Sequence, residues 1–290
     1  MATTSYVVPE TGDLVRRRRL KKIGTAALYV LFGIVAIIFT LPFVLMLSSA
    51  FKTQAEIIQV PPSFFPQDPS LDSFRTVIND APFFTWFRNS LLVACTVTII
   101  VMFLCSLGGY IFAKFDFPGR DPIFVVLLAT MMVPFPVLLI PSYLIVNKFQ
   151  LINSLWALII PSMVNAFGIF LMRQFIAGIP NDLIEAARLD GASEFRIFLR
   201  VILPMAKPPL AALGIFTFLA AWNDYLWPLI VINDIDKSTL PLALSFFNSA
   251  HAQRYDLIMA AASMAVIPII IVFVIFQKQI VNALVIAGLK

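Results

Sequence analysis

The sequence is short of charge, histidine and cysteine, and each shortage removes a class of function. Only 13% of its 290 residues are charged and 60% are hydrophobic, whereas a soluble domain carries about 25% charged residues. The apolar residues fall in blocks of about 20 or more, long enough to cross ~30 Å of hydrocarbon. The chain therefore reads as an all-α integral membrane protein. Its one histidine, His251, falls in a predicted loop, and the scattered acids build no metal-ligand cluster. A membrane enzyme needs clustered His, Asp or Glu near an interface. No catalytic residue is assigned, and no metal or cofactor is expected. Cys95 and Cys105 lie in one apolar run, ~15 Å apart along a helix. That is too far for a disulfide, so both are read as packing residues. The phosphate-loop pattern G-x-x-x-x-G-K-[ST] is missing, so the chain is not an ATPase by that route. The net charge of +5 does not point to nucleic acid, because the bases sit at the ends of apolar blocks.

What is present is a series of six candidate spans, at about 23–47, 87–113, 123–146, 154–176, 209–232 and 256–276. Residues 1–22 form a basic arm ending in Arg16-Arg17-Arg18-Arg19-Leu20-Lys21-Lys22, and 23–290 form a transmembrane domain. The arm also resembles the n-region of a signal peptide, with Ser48-Ser49-Ala50 as a small-residue cleavage site. The apolar block of ~25 residues is too long for that reading, so it is taken as a retained span. Pro134, Pro136 and Pro141 predict a kink in the third span. With both termini on one side and that side inside, 15 of the 21 Lys and Arg residues fall on inner segments. That bias places the termini in the cytoplasm.

The same bias places residues 185–208, EAARLDGASEFRIFLRVILPMAKP, in the cytoplasm. Asp182 reads as an N-cap, which puts Glu185 at N3 of a capping box. Glu185 also suits contact with a partner, and the two roles are compatible. Gly191 ends this helix in a left-handed turn. Ser193 caps a second helix over about 194–203, which Pro204 stops. Ile184, Ala187, Phe195 and Phe198 are expected to face water, and an exposed apolar patch on an ordered projection marks an interaction site.

Glu185-Ala186-Ala187, Asp190-Gly191-Ala192, Phe198 and Ile202-Leu203-Pro204 resemble the EAA signature of the permease subunits of bacterial ABC importers. FPGR, MMVPFPVLLIPSYLI, RQFIAGIP, AWNDYLWPL and QKQIVNAL are similar to the carbohydrate branch that includes the second maltose permease subunit. Val285-Ile286-Ala287-Gly288-Leu289-Lys290 departs from the Gly-rich ending usual there. The resemblance implies a coupling helix in which Glu185, Ala186, Ala187, Asp190 and Gly191 dock on a dimer of ATP-binding subunits. It further implies a second permease subunit, a solute-binding protein outside the membrane, and a location in the inner (plasma) membrane in contact with lipid.

Residues suited to a solute pathway are Asn165 in the fourth span and Trp222, Asn223, Asp224, Tyr225 and Trp227 in the fifth. Sugars pair their hydroxyls with polar groups and lay C–H faces on aromatic rings, and an ionisable group in a span is a functional candidate. The competing reading is an interfacial Trp/Tyr belt near the outer end of the span. A stand-alone secondary transporter is the alternative to an importer subunit. It predicts inverted repeats or mid-membrane charges, and neither is evident.

Overall fold

The computed structural model describes residues 11–249 and 254–288, so His251 lies outside the described residues. The helices run in order as α1 (Thr11–Ser49), α2 (Gln54–Ile58), α3 (Asp72–Asp80), α4 (Phe83–Lys114), α5 (Arg120–Thr130) and α6 (Phe135–Lys148). Then come α7 (Trp156–Ile159), α8 (Ala166–Ala177), α9 (Asn181–Leu189), α10 (Glu194–Ile197), α11 (Leu203–Met205), α12 (Lys207–Trp222), α13 (Leu226–Val231), α14 (Leu240–Ser249) and α15 (Tyr255–Gly288). No strand occurs among the described residues.

Among the described residues, three stretches are long and apolar enough to cross a membrane unaided: Arg19–Ser49 of α1, all of α4, and Tyr255–Gln277 of α15. Three bent pairs bring the number to six if each is one span. The expected kink in the third span is a break: α5 stops at Thr130 and α6 restarts at Phe135, bent by 102°. The cause is local. Val133 precedes a proline, which drives it out of helical geometry, and Pro134 is itself extended at ψ 134°. The pair around residues 163–165 bends by 41°. The fifth span also differs from expectation. It does not run to residue 232 but ends at Trp222, and a short turn leads into α13. The basic arm is continuous with the first span in α1, and the tail continues the helix of α15 to Gly288.

α4 is the central post. One face packs on α8, and Gly109 makes the approach possible: a Cβ there would lie 2.6 Å from Met172 Cβ and 2.8 Å from the Arg173 nitrogen. Small residues at such crossings let two backbones meet. Cys105 takes part in the same contact, buried against Gly168, with its Sγ 3.5 Å from the Asn165 carbonyl. Both cysteines are free. A second core joins α4 to α3, α12, α14 and α15 around Trp86, Phe218, Trp222 and Leu257. At the first end of α4, the Trp86 Nε1 donates to the Ile235 carbonyl at 2.7 Å and Asn89 Nδ2 donates to the carbonyls of Asp236 and Ser238. The Leu240 nitrogen donates back to Ser90 Oγ. These bonds bury side-chain polar groups with their partners satisfied.

Candidate functional site

At the other end of α4, α9 and α10 form a compact helical hairpin. Pro180 precedes α9 at φ −57°, and the helix starts directly at Asn181. The expected capping box is therefore not formed: Asp182 lies inside the first turn, where its charge faces the positive end of the helix dipole. Glu185 makes no hydrogen bond or ion pair among the described residues, and its side chain is exposed. The turn after α9 is a Schellman motif. Gly191 sits at φ +79°, its nitrogen donates to the Arg188 carbonyl, and the Ala192 nitrogen donates to the Ala187 carbonyl, each at 3.0 Å. A left-handed residue at this place favours glycine.

Ser193 precedes α10 in the expected position, but its side chain makes no capping bond. The second helix does not stop at Pro204. A π turn over Phe198–Ile202 comes first and absorbs the missing N–H and the ring. The helix then continues through α11 and bends by 83° into α12.

Two of the apolar residues expected in water are buried. Ile184 and Phe198 belong to the core beneath the hairpin, and Ala187 packs half-buried against it. Phe195 is exposed, and so is Leu189, at 90% of its surface. Leu189 is the apolar residue that sequence reasoning passed over, although its place beside the Asp190-Gly191 turn signalled it. The face open to a partner thus carries Glu185, Ala186, Leu189, Asp190 and Gly191.

The hairpin is fastened to α4 and closed on itself. Arg188 Nε donates to Glu194 Oε1 at 2.6 Å, which bridges α9 and α10 across the glycine turn. The Tyr110 hydroxyl donates to Glu194 Oε2 at 2.9 Å. Arg188 holds the Glu194 carboxyl below its ordinary range, helped by the Tyr110 hydroxyl and opposed by desolvation. Lys114 Nζ, in the last turn of α4, donates to the Ile179 carbonyl and to Asn181 Oδ1.

The second feature is a cavity of about 530 Å³ among α4, α8 and α12. Asn165, Ser162, Thr217 and Asp224 supply its polar lining, and Val97, Leu213 and Phe216 are among its apolar residues. Asp224 is the only charged residue on its wall among the described residues. Of the sequence-predicted pathway residues, the structure brings Asn165 and Asp224 together here. Both also serve the backbone. Asn165 Oδ1 accepts from the Gly168 nitrogen at 2.6 Å as the cap of α8, and Asp224 Oδ1 accepts from the Trp227 nitrogen at 3.4 Å.

Trp222 lies in the core instead, stacked on Phe218 at 5.8 Å, with its Nε1 donating to the Ala265 carbonyl. Asn223 Nδ2 turns back to the Leu219 carbonyl, and Tyr225 is exposed. Trp227 is buried and donates to the Ala157 carbonyl. No group of three or more His, Cys, Asp or Glu is placed to hold a metal among the described residues.

This architecture is shared with known proteins. The chain is 35% identical to the arabinooligosaccharides transport system permease protein AraQ of Bacillus subtilis, over 91% of this chain and 95% of that protein. It is 32% identical to AraQ of Halalkalibacterium halodurans, over 94% and 99%. Among solved structures, a chain of a bacterial ABC transporter involved in the import of the acidic polysaccharide alginate superposes with a TM-score of 0.79. The two are 25% identical, with 95% of this chain and 99% of that chain covered. Residues 105–285 match the family described as binding-protein-dependent transport system inner membrane component. That match takes in the last third of α4, the hairpin and most of the cavity wall, and with relatives aligned almost end to end, the chain belongs to this family of inner-membrane transport components.

Proposed function

We propose that the chain is a permease subunit of an ATP-driven importer, passing a sugar or sugar derivative into the cytoplasm. ATP is hydrolysed in separate subunits that dock on the hairpin at Glu185, Ala186, Ala187, Asp190 and Gly191. The observation that carries this reading is the hairpin itself: a capped, internally bonded projection that turns Leu189 outward beside the small Ala186 and the unengaged Glu185. An apolar side chain held this far out on an ordered element implies a partner that covers it.

The positive-inside bias supports a cytoplasmic hairpin with both termini on that side. A second permease subunit completes the pathway as a heterodimer, and a binding protein outside the membrane delivers the solute. The cavity bears on the solute class. With one carboxylate and no cation on its wall among the described residues, it suits a neutral, hydroxyl-bearing molecule, as in the arabinooligosaccharide relatives, better than a polyanion.

The test is co-purification of ATP-binding subunits with the tagged chain from its host membrane. Leu189→Asp is expected to lose them by at least about tenfold, since it puts a charge where an apolar contact is buried. Solute uptake by the purified chain alone in liposomes, without ATP, would instead establish a secondary transporter.

A further inference from the structure

We infer that the last two turns of α4 receive the motion of the hairpin, with Tyr110 and Lys114 as positioning residues that grip its two arms. This rests on the docking of an ATPase at the hairpin. The hairpin is covalently joined to α8 and α12, so those helices are the obvious levers. Both joints interrupt the regular helix, however. α9 follows α8 through Gly178, Ile179 and Pro180, and α10 leads into α12 through a π turn and the 83° bend. A push on the hairpin is partly spent in flexing such joints.

The link to α4 has no intervening loop. Tyr110 is 2% exposed, and its hydroxyl reaches Glu194 while its ring stacks on Phe198 at 5.8 Å. Phe103, two turns earlier on α4, meets both Phe195 and Phe198 edge-on. Lys114 holds the start of α9 through Ile179 and Asn181. Glu194 joins the two grips, because its second oxygen takes Arg188 from α9. A relative opening of α9 and α10, or a slide of either along α4, breaks a charge-assisted bond or leaves a buried phenol unpaired. The whole unit therefore moves as one body, and α4 travels with it.

The experiment uses the assembled complex in proteoliposomes, with solute uptake and ATP hydrolysis measured together. Tyr110→Phe and Glu194→Gln are each expected to lower solute moved per ATP by about three- to tenfold, the weight of one hydrogen bond. The double variant is expected to fall no further than the worse single one, because both remove the same link. A merely structural role lowers assembly, uptake and hydrolysis together and leaves the ratio intact. An unchanged ratio in both single variants overturns the inference, and so do losses that multiply in the double variant.

A second measurement needs no variant of the link. Spin labels at Asp116, just beyond α4, and at Arg196 on α10 should keep one separation in nucleotide-free and ATP-bound complexes. A change in that separation overturns the inference. Failure of the underlying docking looks different: the ATPase would not stay with the unmodified chain at all.

Discussion

Gly109→Ala tests the close approach of α4 and α8, and the geometry sets the size of its effect. The new methyl would sit 2.6 Å from Met172 Cβ, 2.8 Å from the Arg173 nitrogen and 2.9 Å from the Met172 carbonyl carbon. Carbon atoms rest at about 3.5–4.0 Å, so the helices must part by about 1 Å. Two of the three obstacles are backbone, which cannot swing aside. Overpacking of this kind costs about 1–3 kcal/mol. Replacing a helical glycine by alanine also gains about 1 kcal/mol of intrinsic helix preference, and that gain has to be removed from the comparison.

Gly33 supplies the control. It lies inside α1, and a Cβ there meets nothing within 4 Å. Both variants share the helix gain, so the difference between them isolates the clash, at about 1–3 kcal/mol. The assay is a thermal melt followed by a thiol-reactive fluorophore, because Cys105 is buried one turn from Gly109. Gly33→Ala should melt at or above the parent temperature, and Gly109→Ala below it. Equal shifts for the two variants would refute the close approach.

The remaining predictions concern the hairpin turn and the cavity. Gly191→Pro removes the N–H bonded to Arg188 and cannot adopt φ +79°. Uptake should be lost while membrane insertion is retained, and normal ATP-dependent uptake would count against the lever role. Gly191→Ala meets no neighbour and pays only the left-handed backbone cost of about 1–2 kcal/mol, so its uptake should be reduced but measurable. Asp224→Asn keeps an acceptor for the Trp227 nitrogen but removes the charge from the cavity wall. The apparent KM for uptake should rise about fivefold, the difference between a charged and a neutral hydrogen bond. An unchanged KM would leave Asp224 with its bond from the Trp227 nitrogen alone.

Much of this arrangement was legible in the sequence, and the exceptions have common physical causes. Apolar blocks located the spans because length and hydropathy are local properties. Pro134, Pro136 and Pro141 announced the bend after Thr130, but nothing revealed the break after Trp222, because a broken apolar run averages to the same hydropathy as a straight one. Gly191 was predictable, since a left-handed turn names its own residue. The burial of Phe198 was not, because what covers it is Phe103 and Tyr110 of α4, far away in the chain. The link from Tyr110 to Glu194 spans 84 positions, and neither residue looks unusual alone. Asp182 was misplaced by two positions, because Pro180 supplies the preset backbone that a side-chain cap would otherwise provide.

The fastenings at the two ends of α4 have a joint consequence. Its 32 residues include no proline, whereas α1, α6 and α15 each carry one inside the helix. The result is an unbroken shaft about 48 Å long. One end is keyed to the hairpin, and the other, through Trp86, Asn89 and Ser90, to the segment around Ile235–Lys237 and Leu240. A shaft keyed at both ends ties the hairpin to that distant segment through a single helix, so neither can slide along α4 without breaking a hydrogen bond.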